Sequence, residues 1–200
     1  MKGSLIIVGF FVLGTICGVC HLLPFDIAET NISYYALCAL MFSVGLSVGN
    51  DPQTLKNFRS LNPRLVFLPI MTILGTLAGS AAVSLILTHR SITDCLAVGS
   101  GFGYYSLSSI FITEYKGAEL GTIALLANIS REILTLLAAP LLVRWFGNLA
   151  PISAGGATTM DTTLPIITRT AGQQFVVVSI FHGFVVDFSV PFLGTLFCSI

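Results

Sequence analysis

Two full charges, Arg131 and Glu132, stand inside an apolar run that extends from about Leu120 to Val143. At ~1.5 Å rise per residue the run is roughly long enough to cross the hydrocarbon core of a bilayer, and Glu132 falls near its middle. A charge at the centre of a spanning helix costs roughly 2.5–3.5 kcal/mol on insertion scales, so such residues face a partner or a water-filled cavity. The chemistry this implies is an ion or substrate pathway. Gly121, Leu125, Asn128, Glu132, Thr135 and Ala139 recur at three- and four-residue steps and share one face that is small and polar at its centre. Arg131 points to the neighbouring face, placed to pair with a carboxylate on another helix or with Glu132, and a buried ion pair that only clamps helices is the plainer alternative. Burial and a neighbouring cation act on a carboxylate in opposite senses, which makes Glu132 a candidate proton carrier.

Other polar residues lie at comparable depth. Asp161 marks the stretch from Pro151 to Pro165, which is too rich in Gly, Thr and Pro for an ordinary span. His182 and Asp187 share the last apolar run, either as an extension of a proton relay or as a hydrogen-bonded pair that steadies that helix. Tyr104 and Tyr105 read equally as ligands or as interfacial anchors.

The elements that must position these groups follow from composition. The chain has 200 residues, 54% hydrophobic and 9% charged, with mean hydropathy +0.93, far from soluble globular usage. It is an all-α, polytopic membrane helix bundle, expected to form one transporter domain over residues 1–200. Formal net charge is zero and no basic patch invites nucleic acid. Five cysteines, an odd count, lie in or beside apolar runs and pack as small hydrophobes. No metal, cofactor or catalytic motif stands out, so an enzyme is not expected.

Spans are predicted at residues 3–23, 31–49, 65–88, 120–143 and 174–200, with Gly75, Gly79, Ser80 and Ala81 in the third suited to close helix approach. Two further segments are interrupted. Gly99 to Ser106 breaks the run from Ile92 to Thr113 with three glycines and several hydroxyls, and Pro151 to Pro165 is the second. Backbone freed at membrane depth survives only within protein or beside a cavity, and paired broken segments are how many transporters build a midplane site. If both cross, the chain has seven spans; if both are re-entrant, five. The positive-inside rule places the Lys56/Arg59/Arg64 loop and the amino terminus in the cytoplasm and the carboxyl terminus outside either way. It does not choose between the arrangements, because each puts six Lys and Arg inside against two outside.

The chain resembles the bacterial lysine exporter family of LysO type. The resemblance is carried by Ser100 to Ser108, Ser130-Arg131-Glu132-Ile133, Gly155 to Pro165 and His182-Gly183-Phe184. It implies export of L-lysine and thialysine across the inner membrane against proton uptake, with Glu132 at the family's intramembrane glutamate. Glu132, Arg131, Asp161 and Asn128 are then the coupling and substrate residues; Gly101, Gly103, Tyr104, Ser106, Thr158, Thr159, Asp187 and His182 line the pathway. Similar members carry a further N-terminal helical portion with another acidic residue. A small, separately encoded membrane protein or a second copy of this chain is the expected source of that portion. A passive cation or amino-acid channel and a non-transporting subunit are the alternative functions.

Overall fold

The computed structural model describes residues 63–87 and 89–200, with residues 13, 14, 16–20, 35 and 42. The chain falls into two compact units, residues 1–43 and 44–200. The second contains everything below, and the spans expected at 3–23 and 31–49 lie outside the described residues, apart from those few positions.

A 3-10 turn, Pro63–Val66, leads into α1 (Phe67–Ser84). Then follow α2 (Ile92–Gly99), α3 (Tyr105–Lys116), α4 (Ala118–Phe146), α5 (Ala150–Gly155), a 3-10 segment Gly156–Met160, α6 (Leu164–Ala171), a 3-10 turn Gln173–Phe175, and α7 (Val176–Ser199). Among the described residues there is no strand. Helix α1, helix α4 and the stretch Gln173–Ser199 are each long and apolar enough to cross a membrane. On α4 the buried residues are Leu120, Gly121, Ala124, Asn128, Glu132, Thr135 and Ala139. Its outer face is bare and apolar: Leu126, Leu134, Leu137 and Leu141 are exposed, as are Phe188 and Phe192 on α7. Such a surface suits lipid and not water.

The remaining helices are too short to cross. At ~1.5 Å per residue α2 rises about 12 Å and α5 about 9 Å, well under a hydrocarbon core of roughly 30 Å. Ion pairs fix where the first pair begins and ends. Arg90, just before α2, pairs with Glu119 at the start of α4, and Asp94 in the first turn of α2 meets Lys116 at the end of α3 at 3.7 Å. Helices α2 and α3 therefore enter and leave at the same end of the bundle, where Ala97, Ile112, Leu120, Ala124 and Cys198 pack together. At the opposite end Ile152 of α5, Ile167 and Ala171 of α6 and Val178 of α7 form a second core with Val143, Leu149 and Leu65. Helices α5 and α6 thus turn back to the end they came from. Both interrupted segments are re-entrant hairpins, one from each end, and the seven-span arrangement is excluded. Three helices of the described residues are long and apolar enough to cross, the number the five-span arrangement places there, its other two spans lying outside the described residues.

Within α1 the small residues expected to admit a neighbour behave differently. Nothing lies within contact of a Cβ built at Gly75 or Gly79, whereas the Ser80 side chain occupies the space beside Gly99 of α2.

Candidate functional site

The two hairpin tips meet at the midpoint of α4. Phe102 and Gly103 form the first tip at φ +45° and +96°, and Asn128 holds it: Oδ1 accepts from the Gly103 N–H at 2.7 Å, while Nδ2 donates to the Ala124 carbonyl at 2.8 Å and to Ser108 Oγ at 3.3 Å. A side chain at Gly101 would collide with that amide, since its Cβ would lie 2.4 Å from Nδ2. The second tip begins at Gly156, whose φ is +63° and whose Cβ would lie 2.1 Å from the Phe102 carbonyl oxygen. Only glycine allows this approach. It lets the Ala157 N–H donate to the Phe102 carbonyl at 2.9 Å, a direct backbone bond between the tips.

Arg131 braces the second hairpin. Its Nε and Nη2 donate to the carbonyls of Ala154 (2.7 Å) and Ser153 (3.0 Å), and Nη1 reaches Thr76 Oγ1 of α1 at 3.4 Å. These carbonyls end α5, where a helix leaves acceptors unsatisfied and carries partial negative charge. Arg131 accordingly makes no ion pair with Glu132 or any other carboxylate among the described residues.

His182, fully buried, spends its ring nitrogens on Thr159 Oγ1 (3.2 Å) and Thr72 Oγ1 (2.9 Å). It makes no hydrogen bond to Asp187. It fastens α7 to the second tip and to α1, with Thr159 Oγ1 also donating to the Ser179 carbonyl at 2.9 Å, so its place is within the scaffold. Thr158 likewise bonds inside its own hairpin, to the Gly155 carbonyl and Thr163 Oγ1.

Acidic groups gather around the junction. Glu132 is 7% exposed, with the Thr162 side chain in hydrogen-bonding reach and the charge of Asp161 nearby. Asp161 is exposed at the second tip, accepting from the Thr162 N–H. A cavity of about 200 Å³ separates the tips from α7, bounded by Gly103, Tyr104, Ser106, Thr158, Asp161 and Asp187 among others. Tyr104 lies in the field of Asp187 and Asp161, and Tyr105 in that of Glu132 and Asp161. The structure thus brings together Glu132, Asp161, Asp187, Tyr104 and Ser106, places Asn128, Arg131, Gly101 and Gly103 as the fastenings of the tips, and sets Thr159 and His182 apart in the packing.

Two participants were not singled out from sequence, Thr72 and Thr76. The signal was present: Thr72, Thr76, Ser80 and Ser84 recur every four residues along an otherwise apolar helix, a hydroxyl stripe on one face.

Comparison with known proteins identifies the lineage. The family described as lysine exporter LysO matches residues 8–198. The chain belongs to that family. It is 36% identical over 194 residues to the lysine exporter LysO of Escherichia coli (strain K12), covering 97% of this chain and 64% of that protein. It is 34% identical over 196 residues to a putative lysine exporter of Haemophilus influenzae, covering 98% of this chain and 96% of the relative. The chain therefore spans less than two thirds of the first relative and nearly all of the second. These matches do not support the separately encoded membrane partner expected from the resemblance. No solved structure matches.

Proposed function

We propose that this chain exports L-lysine, and with it thialysine, across the bacterial inner membrane in exchange for protons, and that Glu132 is the coupling carboxylate. One observation carries the reading: Glu132 sits buried at the midpoint of the longest spanning helix, beside the point where two opposed re-entrant tips touch. A carboxylate there binds either a proton or a substrate ammonium, and that competition couples the two fluxes. Each hairpin separates the junction from one end of the bundle, so opening one at a time gives alternating access, which a passive channel does not require. Family membership and the names of both relatives support lysine as the cargo.

Orientation follows from charge. Exposed Arg144 and Arg169 flank the second hairpin's end, and Leu65, just after Lys56, Arg59 and Arg64 in sequence, packs at that same end. The other end has Arg90 and Lys116, both ion-paired. The end of the second hairpin is then cytoplasmic, and the carboxyl terminus external.

Glu132→Gln tests the reading, since it keeps size and hydrogen-bonding capacity and removes the titratable charge. In proteoliposomes the variant should insert normally while uphill, proton-driven lysine transport falls at least about a hundredfold, within the range by which a positioned acid or base contributes. Transport against the gradient at the unmodified rate would make Glu132 structural.

A further inference from the structure

Asp187 is 3% exposed, and among the described residues it has no hydrogen-bond or ion-pair partner. Asn128, Arg131, Thr158, Thr159 and His182, by contrast, are all hydrogen-bonded. Its carboxylate opens onto the cavity of about 200 Å³ between the hairpin tips and α7, and Asp161, on the far wall, is close enough for its charge to act on it. An uncompensated carboxylate at membrane depth is costly and either takes up a proton or holds a cation.

Among the described residues no cation is placed to answer. Arg131 is committed to Ser153, Ala154 and Thr76, and His182 to Thr72 and Thr159. Neither lines the cavity. A metal ion does not fit either, since among the described residues no three His, Cys, Asp or Glu side chains are grouped to hold one. The remaining walls mix apolar surface from Ala157 and Met160 with the hydroxyl side chains of Tyr104, Ser106, Thr158 and Thr162, which can orient an ammonium group or an amino-acid carboxylate. Helix α3 starts at Tyr105, beside the cavity, with no side-chain cap, although the Tyr105 N–H is taken by the Gly103 carbonyl at 3.0 Å.

We propose that Asp187 and Asp161 form a cation subsite, separate from Glu132, that receives one ammonium group of a diamino acid. It rests on the export reading above and adds a division of labour to it: Glu132 exchanges proton for cargo, while the Asp161/Asp187 pair recognises the second positive charge. An amino acid with one ammonium leaves this pair uncompensated. A dibasic one satisfies it, and that difference is the selectivity.

The test uses the full chain purified in nanodiscs and calorimetric titration with L-lysine and with L-norleucine, which lacks the terminal ammonium. The unmodified protein should prefer lysine. Asp187→Asn should weaken lysine binding at least about tenfold and erase most of the preference over norleucine, in keeping with the loss of one partner of a buried charge pair. Asp161→Asn should move the same way, and it carries the test if Asp187→Asn does not fold; Asp187→Glu should retain much of the preference. Unchanged lysine affinity in a folded Asp187→Asn and in Asp161→Asn would overturn the subsite and leave export through Glu132 standing. An unmodified protein that binds lysine no better than norleucine also overturns it, and one that binds no lysine removes the export reading with it.

Discussion

The two re-entrant hairpins reach the same point on α4 by opposite chemistry. The first is held by a neutral amide, Asn128, which accepts from a tip N–H; the second is held by a guanidinium, Arg131, which donates to two carbonyls. The polarity of the backbone explains the choice. The first tip turns an N–H toward α4, whereas α5 ends there and presents unsatisfied carbonyls. Three positions apart on one helix, the two side chains are neighbours that grip different hairpins. The second hairpin is also bonded to α7, through Thr159 to the Ser179 carbonyl and to His182.

The largest effect should come from breaking the contact that both hairpins share. Gly156→Ala places a Cβ on the Phe102 carbonyl oxygen in a left-handed conformation, costing about 3 kcal/mol or more from overlap and backbone strain together. Gly103→Ala is the control, with φ +96° but its nearest neighbour, the Gly155 carbonyl oxygen, at 3.1 Å. Thermal unfolding in mild detergent should show Gly156→Ala as clearly the worse, with transport lost. Equal, small effects would mean the tips do not depend on touching.

Much of the central helix was legible in the sequence. The face Gly121, Asn128, Glu132, Thr135 and Ala139 is buried as spacing implies, with Ala124 taking the position expected of Leu125. Glycine clusters marked both tips. What Arg131 would bind was not legible, because a backbone carbonyl carries no residue identity and its exposure at the end of α5 depends on where that half-helix stops. Nor was the direction of the hairpins, since both arrangements distribute the cations equally. Contacts between residues far apart in sequence, Arg90 with Glu119 and Asp94 with Lys116, decide it.

Next in size is the difference between the two clamps. Arg131→Met removes charge-assisted bonds to two carbonyls, worth about 1.5–3 kcal/mol each, partly offset by no longer burying a cation, for a net loss of about 2 kcal/mol. Asn128→Leu leaves the Gly103 N–H unpaired at about 1–2 kcal/mol. Their readouts should separate by side. With single cysteines at Ser106 and Thr162, Arg131→Met should speed thiol labelling of position 162 from the cytoplasmic face, and Asn128→Leu that of position 106 from the external face. Both variants opening the same face would dissolve the distinction between the hairpins.

The smallest effect sharpens the comparison where the first hairpin meets water. The Asp94–Lys116 pair spans 3.7 Å between partly exposed side chains, and pairs of that kind contribute about 0.2–1 kcal/mol. A double-mutant cycle with Asp94→Asn and Lys116→Met should therefore return a coupling below about 1 kcal/mol, reduced by salt. Its value is topological. If α2 and α3 form a hairpin entering and leaving at one end, Asp94→Cys and Lys116→Cys are labelled by an impermeant thiol reagent from the same side of the membrane, and a short bifunctional reagent joins them in the double variant. Labelling from opposite sides would make the segment a crossing, and Glu132 would then lack one of the two opposed tips that enclose it.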